Sequence, residues 1–239
     1  MIQLLTFDLD NTLWETEPVV AAAEQTLLGW LDQHAPRFTQ QLDHDARRAL
    51  RSEVLAADPE LRHRVTALRI AVLEHGLRKA GYSVDNANEL ALAGFEVFLE
   101  ARHALTFFPH CEPLLEELAR HYQLATISNG NADVRRLGLD KYFKVIVSAD
   151  EVGLSKPDPA PFLAALERAG VAPQAALHIG DHPVDDIAGA HAVGLHTLWF
   201  NRLGLTWSGD QPAHGEVRCL SDIPHWLKGY RSQLSGQVR

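Results

Sequence analysis

The sequence predicts an α/β protein, a parallel sheet core interrupted by an all-helical insertion. Two observations carry this expectation. Short apolar runs that end abruptly in polar residues alternate with segments of helical periodicity, the pattern of βαβ units. Residues 15–107 break that rhythm with almost no strand signal, over a length that no ordinary connection needs.

The first run, Ile2–Phe7, stops at Asp8-Leu9-Asp10 and reads as a buried strand delivering carboxylates at its C-terminal end. Similar runs follow at Gln123–Ile127 before Ser128-Asn129-Gly130, Val145–Val147 before Ser148, Ala176–Ile179 before Gly180-Asp181, and His196–Phe200. Helical patterns lie between them at Glu112–His121, Ala160–Ala169 and Ile187–Val193. Inside the insertion, Val19–His34, Leu42–Leu55, Leu61–Ala80 and Asn86–Arg102 carry apolar residues at helical spacing, punctuated by Pro36, Pro59 and Gly81. The expected domains are residues 1–14 with 108–239 as the sheet core, and residues 15–107 as a helical cap lying like a lid over the strand ends. A polar tail from Ser232 onward is expected to fray.

Hydrophobic residues make up 46% of the 239, enough to bury a real core. The net charge of −9 opposes sequence-independent binding to nucleic acid, whose phosphates would be repelled. It leaves room for a phosphorylated small molecule, because a local site can reverse the sign of the global field. Cys111 and Cys219 lack a CxxC partner or metal-ligand spacing and read as free thiols in a reducing compartment. No basic segment precedes Asp8, and no apolar run could span a bilayer. These features predict a soluble cytoplasmic protein with no membrane partner.

The chemistry gathers where the predicted strands end, which is where open α/β sheets bind ligands. Asp8 and Asp10 in Asp8-Leu9-Asp10-Asn11-Thr12 are two carboxylates just after a buried strand, costly unless paired or metal-bound. The Ser128 hydroxyl and the amide N–H groups after it suit phosphate oxygens, although such a tripeptide is more often a plain turn. Lys156 sits in a loop stiffened by Pro157 and Pro159; a lone loop lysine is usually solvated. Asp181, then Asp185 and Asp186, follow another apolar run, where acidic residues also serve as helix caps. Four polar sites at four strand ends fit one shared crevice better than four accidents.

The ordered set DLDNT, SNG, SKPDP and GDHPVDD resembles the four motifs of the haloacid dehalogenase superfamily, and the insertion sits where that superfamily carries its C1 cap. The resemblance implies a Rossmann-like sheet with a mobile helical cap. It implies Asp8 as nucleophile and metal ligand. Asp10 becomes the general acid and base, with its backbone carbonyl on Mg²⁺. Thr12, Ser128 and Asn129 become the groups that hold the phosphoryl unit, and Lys156 the group that neutralises phosphate and nucleophile. Asp181 and Asp186 become the further Mg²⁺ ligands, Asp186 acting through water; Asp185, its neighbour, is the alternative.

Charge arithmetic agrees. Ionised Asp8, Asp181 and Asp186 against Lys156 leave −2, which would repel phosphate, and one Mg²⁺ brings the cluster to zero. Asp10 separates the readings within the superfamily, since the dehalogenases lack a carboxylate there and need no metal. A phosphonate hydrolase would use a cap lysine, for which only Lys79 is available. A phospho-accepting receiver lacks the long insertion, and a non-catalytic binding module has no need of Asp8, Asp10, Lys156 and Asp181 together. Pro59-Glu60, Val65-Thr66 with Arg69, and Ser128-Asn-Gly-Asn-Ala132 resemble the YigB-like phosphatases, a bacterial subgroup. That likeness implies FMN or 5-amino-6-(5-phosphoribitylamino)uracil as the phosphate monoester. His182 follows Asp181 and is expected to touch phosphate or solvent; the other histidines, His178 among them, are expected to be ordinary surface or hydrogen-bonded groups.

Overall fold

A computed structural model describes residues 1–236. The chain divides into two compact units, residues 1–15 with 106–239, and residues 16–105. In chain order the elements begin with strand β1 (Leu4–Phe7). Helices α1 (Glu17–His34), α2 (Pro36–Gln41), α3 (His44–Ala57), α4 (Val65–Lys79) and α5 (Val84–Arg102) form the second unit. The first unit resumes with α6 (Cys111–Ala119), β2 (Gln123–Ser128), β3 (Val145–Ser148), α7 (Ala149–Val152), α8 (Pro159–Ala169) and β4 (Ala176–Gly180). It ends with α9 (Gly189–Ala192), β5 (His196–Phe200), β6 (Gly215–Val217) and α10 (Ile223–Gly236).

The six strands form one parallel sheet in the order β3-β2-β1-β4-β5-β6. Every residue of β1 and β4 is buried, as expected for central strands of a parallel sheet covered on both faces. On one face Phe162, Ala165 and Leu166 of α8 pack with Leu4, Ala125, Ile127 and Val147. The chain order reverses between β1 and β4, so the crevice outside their C-terminal ends lies at a topological switch point.

The helical unit has its own core. Ala87, Ala91, Phe95 and Phe98 of α5 recur at about one per turn and meet Ala23, Leu27 and Leu31 of α1. Gly76 of α4 lies against Phe38 and Leu50, where a methyl group would collide with the Phe38 ring and a Leu50 methyl. Asp43 and Ser83 cap α3 and α5 by accepting backbone N–H donors.

Several elements differ from their sequence-based expectation. The helix expected at Leu42–Leu55 is α3, starting two residues later with Asp43 as its cap, while Pro36, expected only as punctuation, opens the short extra helix α2. Leu61–Ala80 is a 3₁₀ turn, Pro59–His63, followed by α4. The helix expected at Ile187–Val193 begins earlier as a π-helical turn, Pro183–Ala188. β6 and α10 carried no recognised signal. The tail from Ser232 continues α10 as far as Gly236, and residues 237–239 lie outside the described residues. Among the described residues, no helix is long and apolar enough to cross a membrane.

Candidate active site

Asp8 directly follows β1 and still belongs to the ladder, its N–H donating to the Ile179 carbonyl at 2.9 Å. The chain then turns sharply. Asn11 takes a left-handed conformation, φ 62°, which an asparagine tolerates better than most residues. The Thr12 and Leu13 amides return to the Leu9 carbonyl, and Leu9 is buried. The turn aims Asp8 and Asp10 out of the strand end while Leu9 anchors it in the core. The Thr12 hydroxyl donates to Asp8 Oδ2 at 3.1 Å, and the Trp14 indole donates to Asp10 Oδ1 at 2.9 Å. Thr12, expected to hold the phosphoryl group, therefore orients the Asp8 carboxylate.

Lys156 is the hub. Its ammonium lies 2.6 Å from Asp8 Oδ1 and 2.6 Å from Asp186 Oδ1, with all three side chains buried. Asn129, at the end of β2, grips the same residue by its backbone: Lys156 N–H donates to Asn129 Oδ1 at 2.8 Å, and Asn129 Nδ2 donates to the Lys156 carbonyl at 3.0 Å. The amide expected to line the phosphoryl loop is thus turned to positioning Lys156. The Lys156–Pro157 peptide is cis. Ser128 Oγ accepts the Gly130 N–H at 3.0 Å. A Cβ on Gly130 would land on Asp10 Oδ2, so only glycine lets that carboxylate approach the Ser128 loop.

Asp181 follows β4, and its backbone carbonyl accepts the Trp199 indole N–H at 2.7 Å. Asp186, rather than Asp185, enters the cluster. Its Oδ2 accepts the His182 N–H at 2.9 Å, and its Oδ1 takes Lys156 and, at 3.1 Å, His178 Nε2. Gly180 makes room, since a Cβ there would overlap the Asp186 carboxyl. Asp185 is partly exposed and faces His182 and, at 3.5 Å, Asn129. The His182 side chain caps the π-helical turn, Nδ1 accepting the Asp185 N–H at 3.0 Å.

Burial pushes the Asp8 carboxyl well above the usual carboxylate range, against the pull of Lys156. Burial, then the Asp186 charge, pushes Asp181 up to about 7. Burial acts on Asp186 too, but Lys156 and His178 outweigh it and hold that carboxyl well below the usual range. Burial would strip the proton from Lys156, but Asp186 and Asp8 overcome it and keep the ammonium charged. One fixed cation is therefore too little for three carboxylates.

That deficit fits a divalent cation. Asp8, Asp181 and Asp186 each offer a ligand atom, all within 4.8 Å of one another. An all-oxygen, anionic donor set suits a hard cation such as Mg²⁺. Asp186 already receives three hydrogen bonds, which leaves little of its carboxylate for direct coordination and favours contact through water.

In the helical unit, Arg69 and Lys79, the cap lysine a phosphonate hydrolase would use, both have local partners. Arg69 pairs with Glu24 and lies 3.7 Å over the Phe98 ring. Lys79 pairs with Glu53 at 2.8 Å. Two groups carry no role in the sequence-based reading, Trp14 and Trp199, which reach Asp10 and the Asp181 carbonyl. His178, expected as an ordinary surface or hydrogen-bonded histidine, is hydrogen-bonded, and its partner is Asp186 of the site.

The chain is 31% identical to 5-amino-6-(5-phospho-D-ribitylamino)uracil phosphatase YigB of Escherichia coli, over 93% of this chain and 94% of that protein. It is 31% identical to phosphoserine phosphatase of Thermus thermophilus, over 84% and 89%. A crystal structure described as 2-haloacid dehalogenase from Pseudomonas syringae superposes with a TM-score of 0.93 at 47% identity, covering 96% of this chain and all of that one. Residues 2–194 match the haloacid dehalogenase-like hydrolase family. With a buried Asp8–Lys156–Asp186 centre at the switch point of a parallel sheet, the chain belongs to the haloacid dehalogenase-like hydrolases and is an enzyme of that family.

Proposed function

We propose that this hydrolase cleaves small phosphate monoesters through an aspartyl-phosphate on Asp8, with Mg²⁺ held by Asp8, Asp181, the Asp10 backbone carbonyl and, through water, Asp186. The observation that carries the reading is the second carboxylate: Asp10 is anchored by the Trp14 indole, with Oδ2 beside the Ser128–Gly130 loop. An alkoxide leaving group needs a proton, whereas a halide leaves without one, so a positioned carboxylic acid serves ester cleavage and is idle in dehalogenation.

Asp8 attacks phosphorus in line while the ester P–O bond breaks. Asp10 gives its proton to the departing oxygen. Asp10 then takes a proton from water as that water attacks the phosphoryl group, and the bond to Asp8 breaks to release inorganic phosphate. Lys156 offsets the charge of Asp8 and of the phosphoryl oxygens, while Thr12 holds the Asp8 carboxylate in line. When bound, Mg²⁺ supplies further charge neutralisation and fixes the oxygens around it.

The likeness to the Escherichia coli phosphatase makes a ribityl phosphate, either 5-amino-6-(5-phosphoribitylamino)uracil or FMN, the first candidate substrate. Residues 16–105 act as the cap that selects it, in a cytoplasmic enzyme with no nucleic-acid or membrane partner. The rival reading, dehalogenation, takes its support from the Pseudomonas structure. A side-by-side assay separates them: phosphate release from p-nitrophenyl phosphate with Mg²⁺, and chloride release from 2-chloropropionate without it. Phosphate release alone is expected; chloride release alone would overturn the phosphatase reading.

A further inference from the structure

His178 lies in the middle of β4 and is fully buried, between Thr6 of β1 and Thr197 of β5 in the sheet register. Its ring meets the edge of Phe162 on α8 at 5.2 Å and 85°. A polar ring in the driest part of the sheet needs both nitrogens satisfied. Nδ1 is 2.8 Å from the Thr6 hydroxyl, and Nε2 is 3.1 Å from Asp186 Oδ1.

The partners fix the proton. An ionised carboxylate only accepts, so the hydrogen sits on Nε2. The Thr6 hydroxyl is 3.5 Å from the Leu177 carbonyl, too long for a good O–H···O bond, and so it donates to Nδ1 instead. Asp186 thus selects the tautomer, and the Thr6 hydroxyl satisfies the other ring nitrogen by donating to it.

Asp186 Oδ1 is the same atom that takes the Lys156 ammonium, at 2.6 Å. Oδ2 is tied to the His182 N–H, and the carboxyl lies against Gly180. Three donors from three directions leave the carboxylate one orientation. Lys156 in turn bridges to Asp8 Oδ1. The chain of contacts runs Thr6, His178, Asp186, Lys156, Asp8, from the middle of the sheet to the nucleophile.

We propose that His178 is a positioning residue for the reaction: its Nε2–H, with Nδ1 satisfied by the Thr6 hydroxyl, fixes the Asp186 carboxylate and through it the Lys156 ammonium against Asp8. The proposal rests on the phosphatase reading above for its kinetic effect, but not for its tautomer. An outer partner of this kind commonly contributes about 10- to 100-fold in activity.

The test uses the full chain. His178→Leu removes the N–H at similar volume, His178→Gln retains an N–H at similar reach, and Thr6→Val removes the hydroxyl. With p-nitrophenyl phosphate and saturating Mg²⁺, His178→Leu is expected to lower kcat by about 10- to 100-fold, more than it changes KM. His178→Gln should recover most of the loss, and Thr6→Val should lose a few-fold. Long-range ¹H–¹⁵N NMR of the wild type should show the proton on Nε2 of His178. Unchanged kcat in His178→Leu, or equal losses in folded Leu and Gln variants, overturns the proposal. A proton on Nδ1 overturns it as well, and that readout stands if the Leu variant fails to fold. Absence of phosphatase turnover in the wild type would instead count against the phosphatase reading, with the NMR result still deciding the tautomer.

Discussion

Trp14 donates its indole N–H to Asp10 Oδ1 at 2.9 Å, and Trp14 is itself completely buried. An indole is a donor only, so that oxygen stays an acceptor, and in the proposed mechanism the proton Asp10 gives up is carried on Oδ2, beside Gly130 and Ser128. Trp14 also pairs with Phe107 in an isolated antiparallel bridge, and the Phe108 N–H donates to the Leu13 carbonyl, so the turn is braced by the segment that follows the helical insertion.

Trp14→Phe should keep the fold and lose about 10-fold or more in kcat on an alkyl phosphate, the size expected for one hydrogen bond to a charged group. The loss should be much smaller on p-nitrophenyl phosphate, whose leaving group needs little help from an acid. Equal losses on both substrates would show that Trp14 is not acting through Asp10.

How much of this was legible beforehand depends on the direction of the contact. Strand ends were legible, because an apolar run that stops at Asp8, Ser128 or Asp181 marks both the strand and what it delivers. β6 was not, since Gly-Glu-Val at the sheet edge is too short and too polar to stand out. Lateral contacts were hidden for a different reason. His178 looks like any histidine until the register places it beside Thr6 and the π-helical turn brings Asp186 back under it. Asn129 is expected on the loop after its strand, yet its amide faces Lys156, a partner 27 residues away that no local pattern reveals.

The two thiols should differ sharply. Cys111 is buried, and burial pushes its thiol up to about 12, while Cys219 is exposed. A thiol reagent near neutral pH should label one cysteine in the native protein and two after unfolding, because the thiolate is the reacting species. Rapid labelling of both in the native state would contradict this packing.

Chelation should abolish turnover, and Mg²⁺ should restore it. Ca²⁺ should restore little, since its longer bonds and larger coordination number misplace the oxygens around Asp8. Phosphate release that persists after exhaustive chelation would remove the metal from the mechanism.

Substrate choice is expected to favour a ribityl phosphate. A kcat/KM panel of FMN, sugar phosphates, nucleoside monophosphates and p-nitrophenyl phosphate reads it directly. Arg69→Ala should weaken the helical unit, because Arg69 holds Glu24 and Phe98 there, and a lowered Tm would report that. If a hexose phosphate or a nucleotide is far better than FMN, the ribityl assignment fails while the phosphatase assignment stands.

Mass spectrometry of the Asp10→Asn variant, quenched in acid during turnover of p-nitrophenyl phosphate with Mg²⁺, tests the central claim most directly. Without its base, the second step should stall and leave the phosphoryl group on the nucleophile. The expected result is a phosphate's mass on the peptide containing Asp8, absent when Asp8→Asn is added. Phosphate release by Asp8→Asn alone at a rate within a few-fold of wild type would contradict it.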